Sequence, residues 1–434
     1  MLNVTFDNAA VEFARWIEGK LGREAAGNSR LIRDIYGQLC LMTAKDNAER
    51  LAADLESVRA RLGAYAVPGE GLVAGVAEAE LQDFLREPSL AIAADSPVRL
   101  IDRRVAGGEW LMRPVELVKQ PQRLVFHSVK GGVGRSTALA IATAHLAARG
   151  LNLLVLDLDL EAPGIGSTLL RADDMPDFGA VDWFAAFAAG AVSDEMLVDM
   201  ISPSPFTSNR SVADVVPAPG RAPGAYLSKL ARAYIPGSVS AAFAGFSFAQ
   251  KADLLINKLC ERREYDVVLI DARAGLHETS GSLLLGLGGK VLLFATASEQ
   301  SFDDFTILFD SLRSAFDPEV GGADIRGAFK MVHAKAPPQE NTLLQFRQKS
   351  WDLWRESLYD ETPSATAGSP EPEALAFTFD VGDDDAPHFP LEIRADETYA
   401  RFDPRADKSF LTAERYLPAF GPFLAGIEQI LELR

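Results

Sequence analysis

The residues best suited to chemistry form one run, KGGVGRST (Lys130–Thr137), with Asp157, Asp159 and Asp271 following at a distance. Gly131, Gly132 and Gly134 let backbone N–H groups approach an anion with no Cβ in the way, and Val133 sits between them. Ser136 and Thr137 open a helix, whose unpaired first-turn N–H groups and positive dipole end converge on the same place. Lys130 and Arg135 add fixed cations, and the Ser136 hydroxyl suits Mg²⁺. This is equipment for holding a polyphosphate. The general pattern G-x-x-x-x-G-K-[ST] is met with departures: Val129 stands at the first Gly and Arg135 at the Lys.

The carboxylates lie where such a site needs them. Leu151–Leu160 is a nearly continuous apolar run of the kind found in buried parallel sheets, and it ends in Asp157-Leu158-Asp159. Side chains alternate along a strand, so the two acids share a face at the carboxyl edge where open α/β sheets bind ligands. Either could instead cap the turn EAPGIG. A second apolar strand in YDVVLIDARAGL (Tyr265–Leu276) ends in Asp271, positioned to hold Mg²⁺ directly or through water. Arg273, just beyond it, can reach a phosphate or pair with a neighbouring acid.

KGGVGRST resembles the deviant Walker A motif of the ParA/MinD-like ATPases, and within them a variant group written KGGVGR. The resemblance spans roughly residues 98–335, including VRLIDRRVAGGEWL (Val98–Leu111) ahead of the phosphate loop and the post-strand loop Ala272–Leu276, where many relatives have D-x-P-A-G. It implies Mg²⁺-dependent ATP hydrolysis within a nucleotide-bound homodimer. Lys130 would cross to the partner's nucleotide, Asp159 would position the attacking water, and Asp157 would support Mg²⁺ and loop geometry. Backbone amides of Gly131–Arg135 would cradle phosphates, with Arg135 and Ser136 on β/γ-oxygens and the metal. Many relatives end the strand matching Phe329–His333 in an Asn that reads adenine; His333 stands there, so ATP follows from resemblance and GTP stays open.

These residues require a doubly wound, mainly parallel α/β sheet from residue 98 to 434, with insertions at about 165–255 and 360–390. Residues 1–97 are expected to form a small helical domain and linker. Asp7 would cap a first helix, Asn28/Ser29 would cap a second beginning LIRDIYGQLCL, and the Gly- and Ala-containing stretch Tyr65–Glu80 would be the linker. That domain either closes on its own core or serves as an adaptor for another protein or another copy. In ParA/MinD relatives the 165–255 interval carries partner surfaces. Asp383–Asp385 lies in a Pro- and acid-rich loop and is expected to be a solvated turn.

Composition narrows the function. The 434 residues carry 48% hydrophobic and 24% charged side chains, with no apolar run of membrane-spanning length and no signal-peptide pattern at the start, so a cytoplasmic protein is expected. Cys40 and Cys260 belong to no C-x-x-C, which excludes a cysteine metal cage. The net charge of −18 argues against a broad DNA-binding face, and Lys229, Arg232 and Lys251 are too scattered for a nucleic-acid site. The tail FGPFLAGIEQILELR lacks the cationic face of a membrane-docking helix. The expected function is an ATP-driven dimerisation switch that reports to a protein partner, in a bacterial signalling or phage-defence setting by family analogy. The alternatives are a nucleotide-gated scaffold without hydrolysis and an ATP-dependent ligase or synthetase.

Overall fold

The computed structural model describes residues 4–93, 95–104, 108–206, 211–240, 243–317, 321–360 and 376–433. The chain divides into two compact units, Met1–Arg113 with Ser314–Gly321, and Pro114–Arg313 with Gly322–Arg434.

The N-terminal unit contains a five-stranded sheet in the order β3-β2-β1-β5-β4, made of β1 (Arg30–Arg33), β2 (Leu39–Ala44), β3 (Val73–Val76), β4 (Leu90–Ala91) and β5 (Arg99–Asp102). The expected first helix forms over Phe6–Leu21 with Thr5, not Asp7, at its N-cap, and buries Phe13 and Ile17 in one cluster with Leu31, Leu41 and Leu100. The second expected helix is instead a hairpin. Gly37 turns the chain with φ +87°, and the Asp34 carboxylate accepts the N–H groups of Tyr36 (2.9 Å) and Gln38 (2.8 Å). Beyond the turn Leu39, Leu41 and Thr43 point inward at a period of two, which a strand satisfies and a helix does not. Ser29 is no helix cap; its hydroxyl shares a buried 2.8 Å hydrogen bond with Thr43.

Two more expectations change. Within Tyr65–Glu80, β3 pairs parallel with β2 and Leu72 is fully buried, so this stretch is a sheet edge and not a linker. Val98–Leu111 does not begin the phosphate-loop unit: β5 pairs parallel with β1, and the division falls between Arg113 and Pro114 instead of near residue 97.

The larger unit is the expected doubly wound α/β sheet. Its strands are β6 (Gln122–Ser128), β7 (Leu153–Leu158), β8 (Ser202–Pro203), β9 (Ala213–Val216), β10 (Val267–Ala272), β11 (Lys290–Ala295), β12 (Phe329–Ala336) and β13 (Leu391–Arg394). They stand in the order β13-β12-β11-β6-β10-β7-β9-β8, and only the short β8 runs antiparallel to its neighbour. From β6 the chain steps out to β7 and β9, returns through β10, then crosses to β11 on the other side. The order therefore reverses around β6, which opens a crevice at its carboxyl end.

The interval 165–255 is only partly an insertion, because β9 pairs with β7 inside the sheet. A helix there runs Ala180–Ala188 and buries Trp183, Phe184 and Phe187. The scattered cations serve the fold: Lys229 pairs with Asp182 at 2.5 Å, and the fully buried Lys251 donates to the carbonyls of Ala233 (2.6 Å) and Ile235 (2.9 Å). Of the interval 360–390, residues 361–375 lie outside the described residues. Asp383–Asp385 forms an ordered turn, with Asp380 N–H on the Asp383 carboxylate (2.8 Å) and the buried Lys330 ammonium on the carbonyls of Asp384 and Ala386.

The C-terminal helix Ala413–Ile430 faces the core. Phe423 packs edge-on against Phe126 and Phe294, while Glu428 pairs with Arg149 and His145, each at 2.8 Å. Among the described residues, no helix is long and apolar enough to cross a membrane.

Candidate phosphate-binding site

Strand β6 ends at Ser128, and the glycine loop follows at once. Two bonds hold its base: Ser128 Oγ donates to the Lys130 carbonyl at 2.8 Å, and the Gly275 N–H reaches the Ser128 carbonyl at 2.9 Å. Gly132 (φ +75°) and Gly134 (φ +99°) occupy the left-handed region, which explains glycine at both positions. A Cβ built at Gly131, Gly132 or Gly134 would meet nothing within 4 Å, so the inner face of the loop is open space. The helix Arg135–Ala148 begins immediately, and its buried Ala138, Leu139 and Ile141 seat it in the core. A cavity of about 830 Å³ lies over the loop, lined by Gly131–Thr137, Asp159, Lys335, the segment Ile393–Glu397, Tyr399, Ala400 and Phe420.

Arg135 is not free in this cavity. Its Nε donates to Asp271 Oδ1 at 2.6 Å and a terminal nitrogen to Asp159 Oδ2 at 2.7 Å, with all three side chains almost fully buried. Burial opposes the guanidinium charge, but Asp271 and Asp159 outweigh it and hold its pKa above the ordinary value. Ser136 Oγ donates to Asp271 Oδ2 at 2.8 Å. Burial pushes Asp271 above the usual carboxylate range against the pull of Arg135 and Ser136. On the neighbouring strand β6, burial and then Arg135 push His127 down to about 3, which keeps the ring neutral.

Asp157 sits opposite Asp271 in the β7–β10 pairing and is fully buried. Its Oδ2 accepts the N–H groups of Gly164 (3.1 Å) and Gly166 (3.4 Å), so it shapes the loop after β7. Burial, reinforced by Asp271 and Asp159, raises its pKa to about 8. With its Oδ2 engaged by two loop amides, Asp157 is committed to the loop. Ser136 and Asp271, by contrast, present hard oxygen donors side by side and fit Mg²⁺. Among the described residues no group of three or more His, Cys, Asp or Glu could cage a metal, so an ion here would share its shell with phosphate oxygens and water.

Arg273 takes the second of its expected roles, pairing with Glu161. Glu161 also meets His277 Nε2 at 3.4 Å and the Tyr234 hydroxyl at 3.1 Å, so it joins the loops after β7 and β10. Lys130 lies 3.2 Å from Asp304 within the same chain, each about a third exposed. His333 does not reach the cavity: it is fully buried, stacked on Phe346 with ring centroids 3.8 Å apart, and neither ring nitrogen has a partner. Sequence reasoning missed Lys335, Tyr399, Phe420 and Glu161, none of which belongs to a motif; the first three come to the cavity from strands and helices far along the chain.

Solved structures supply a comparison. A ParA family ATPase from Chlorobium tepidum matches 55% of this chain and 80% of its own at 17% identity and TM-score 0.37. The chain is similar to ParA and MinD ATPases. The pNOB8 ParA structure bound to nonspecific DNA matches 72% of this chain and 97% of its own at 16% identity and TM-score 0.43. The Pyrococcus furiosus cell division ATPase MinD matches 71% and 99% at 19% identity and TM-score 0.42. No protein-family model and no curated protein matches the sequence.

Proposed function

We propose that this protein is a Mg²⁺-dependent ATP switch of the ParA/MinD type, which closes as a homodimer on nucleotide and reports its state to a protein partner. The observation that carries the reading is that the glycine loop after β6 and Asp159 after β7 line one cavity, with Asp271 at the end of β10 bonded to Arg135 and Ser136 of that loop. In this reading the amides of Gly131–Thr137 would cradle the phosphates, and Ser136 and Asp271 would hold Mg²⁺, which would supply positive charge to the polyphosphate. Incoming phosphate competes with Asp159 and Asp271 for Arg135. Asp159 is thereby released to orient water, which couples hydrolysis to occupancy. Lys130 leaves Asp304 to reach the partner's nucleotide. Glu161 links the nucleotide loops to Tyr234, in the 165–255 interval where a partner would bind. A bacterial signalling or conflict setting follows from the motif resemblance alone.

The Arg135 clamp on Asp159 favours one second reading, a scaffold that binds ATP and dimerises without cleaving it. Light scattering of the full chain with Mg²⁺ and with Mg-ATP, beside phosphate release, separates them. Doubling of mass with ATP, loss of the dimer in Lys130→Ala and its trapping in Asp159→Ala support the switch. Doubling with no phosphate release supports the scaffold, and an unchanged mass in every condition removes the dimer role of Lys130.

A further inference from the structure

Lys335 belongs to no recognisable motif, yet the fold brings it to the apex of the phosphate loop. Its Nζ donates to the Gly132 carbonyl at 2.7 Å, and its side chain lines the cavity. The backbone there is unusual. Lys335 has φ +54°, a conformation that side-chain-bearing residues adopt at a cost, and it stands where the β12–β13 register shifts between His333 and Ala336. Glycine or asparagine would sit there with less strain. A lysine kept in a strained position directs attention to its side chain.

The loop supplies the second part of the argument. Open space surrounds the Cβ positions of Gly131, Gly132 and Gly134, so within the loop side-chain packing anchors Val133, which is buried in the core, and not the glycines. A glycine at φ +75° also resists a peptide flip poorly. Because C=O and N–H of one trans peptide point in opposite directions, anchoring the Gly132 carbonyl also sets the direction of the Val133 N–H. The other cations near the loop are engaged with acids, Arg135 with Asp159 and Asp271, and Lys130 with Asp304. Among the described residues, no carboxylate lies in ion-pair range of Lys335.

We propose that Lys335 is a positioning residue of the phosphate loop: it pins the Gly132 carbonyl so that the cradle is shaped before a ligand arrives, and its ammonium, spending one donor on that carbonyl, keeps its charge beside a bound polyphosphate. The tether is a property of the protein alone; the ligand contact rests on the nucleotide reading above.

The test uses the full chain as wild type, Lys335→Met, Lys335→Asn and Lys335→Arg. Without nucleotide, amide exchange across Gly131–Thr137 should quicken about tenfold in the Met and Asn variants and stay near wild type in the Arg variant. Asparagine tolerates left-handed backbone, so its melting temperature should be unchanged or raised, which separates a lost tether from a damaged fold. Unchanged exchange in Lys335→Met overturns the tether. Titration with Mg-ATP should show about tenfold weaker binding for Met and Asn, with recovery in Arg. Equal affinity in wild type and Lys335→Met overturns the ligand contact. A wild type that binds no Mg-ATP overturns both the ligand contact and the nucleotide reading, while the exchange result still decides the tether.

Discussion

Replacing Arg135 with methionine keeps the apolar stem and removes the guanidinium, which leaves Asp159 and Asp271 buried without their cation. The structure sets the magnitude. The two ion pairs measure 2.7 and 2.6 Å, and the side chains of Arg135, Asp159 and Asp271 are 8%, 5% and 1% exposed. Breaking a buried pair by deleting one partner costs about 3–5 kcal/mol. Ser136 still donates to Asp271, and an abandoned carboxyl can take up a proton, so the expected loss lies near the lower end, about 3 kcal/mol. Hydrogen exchange of β6 and β10 amides in urea reads this unit separately from the N-terminal one. The pH dependence has a definite sign. Burial already raises Asp271, and without Arg135 it rises further, so the folded variant holds protons that the unfolded chain releases. Its stability is then greatest in acid and falls as pH rises, and the gap to wild type should widen as pH climbs above the already raised native value of Asp271. Adding Asp159→Asn should recover about 1 kcal/mol or more. A loss under about 1 kcal/mol, or a gap indifferent to pH, refutes the clamp.

Asp157→Asn keeps an acceptor for Gly164 and Gly166 but cannot ionise. The native carboxyl has its pKa raised from 3.8 to about 8, so the stability it contributes is complete below the unfolded pKa and is lost as pH rises through about 8. Calorimetry should show the variant more stable than wild type at alkaline pH with a flatter profile; an unaltered slope contradicts the assignment. His333 is the opposite case, with burial lowering its pKa from 6.5 to about 4, so its contribution is present above 6.5 and is lost as pH falls through about 4. His333→Leu should flatten that acid limb and leave the preference between ATP and GTP unchanged; a changed preference would return this residue to base reading.

Local patterns made the site's skeleton legible. The glycines of Lys130–Thr137, the apolar strands ending at Asp159 and Asp271, and the helix after the loop each declare themselves within a dozen or so residues, because phosphate binding and buried parallel strands restrict residue type locally. In the N-terminal unit a helix-like apolar pattern competes with weaker period-two and turn signals, and the latter prevail. Asp34 and Gly37 make a turn whose signal is short, and Leu39, Leu41 and Thr43 alternate for only a few residues.

The sequence by itself determined the phosphate loop, the parallel sheet that carries it and the order in which its acids arrive. Tertiary structure decided how those groups are spent. Arg135, expected on phosphate, is held by two buried acids; Asp157, expected near metal, is sequestered under the loop after β7; His333 is packed away while Lys335, two residues on, reaches Gly132. Motifs record which groups are available at a strand end. Burial, competing carboxylates and a left-handed backbone at the end of β12 depend on neighbours distant in the chain, and these set the charge and direction each group finally has.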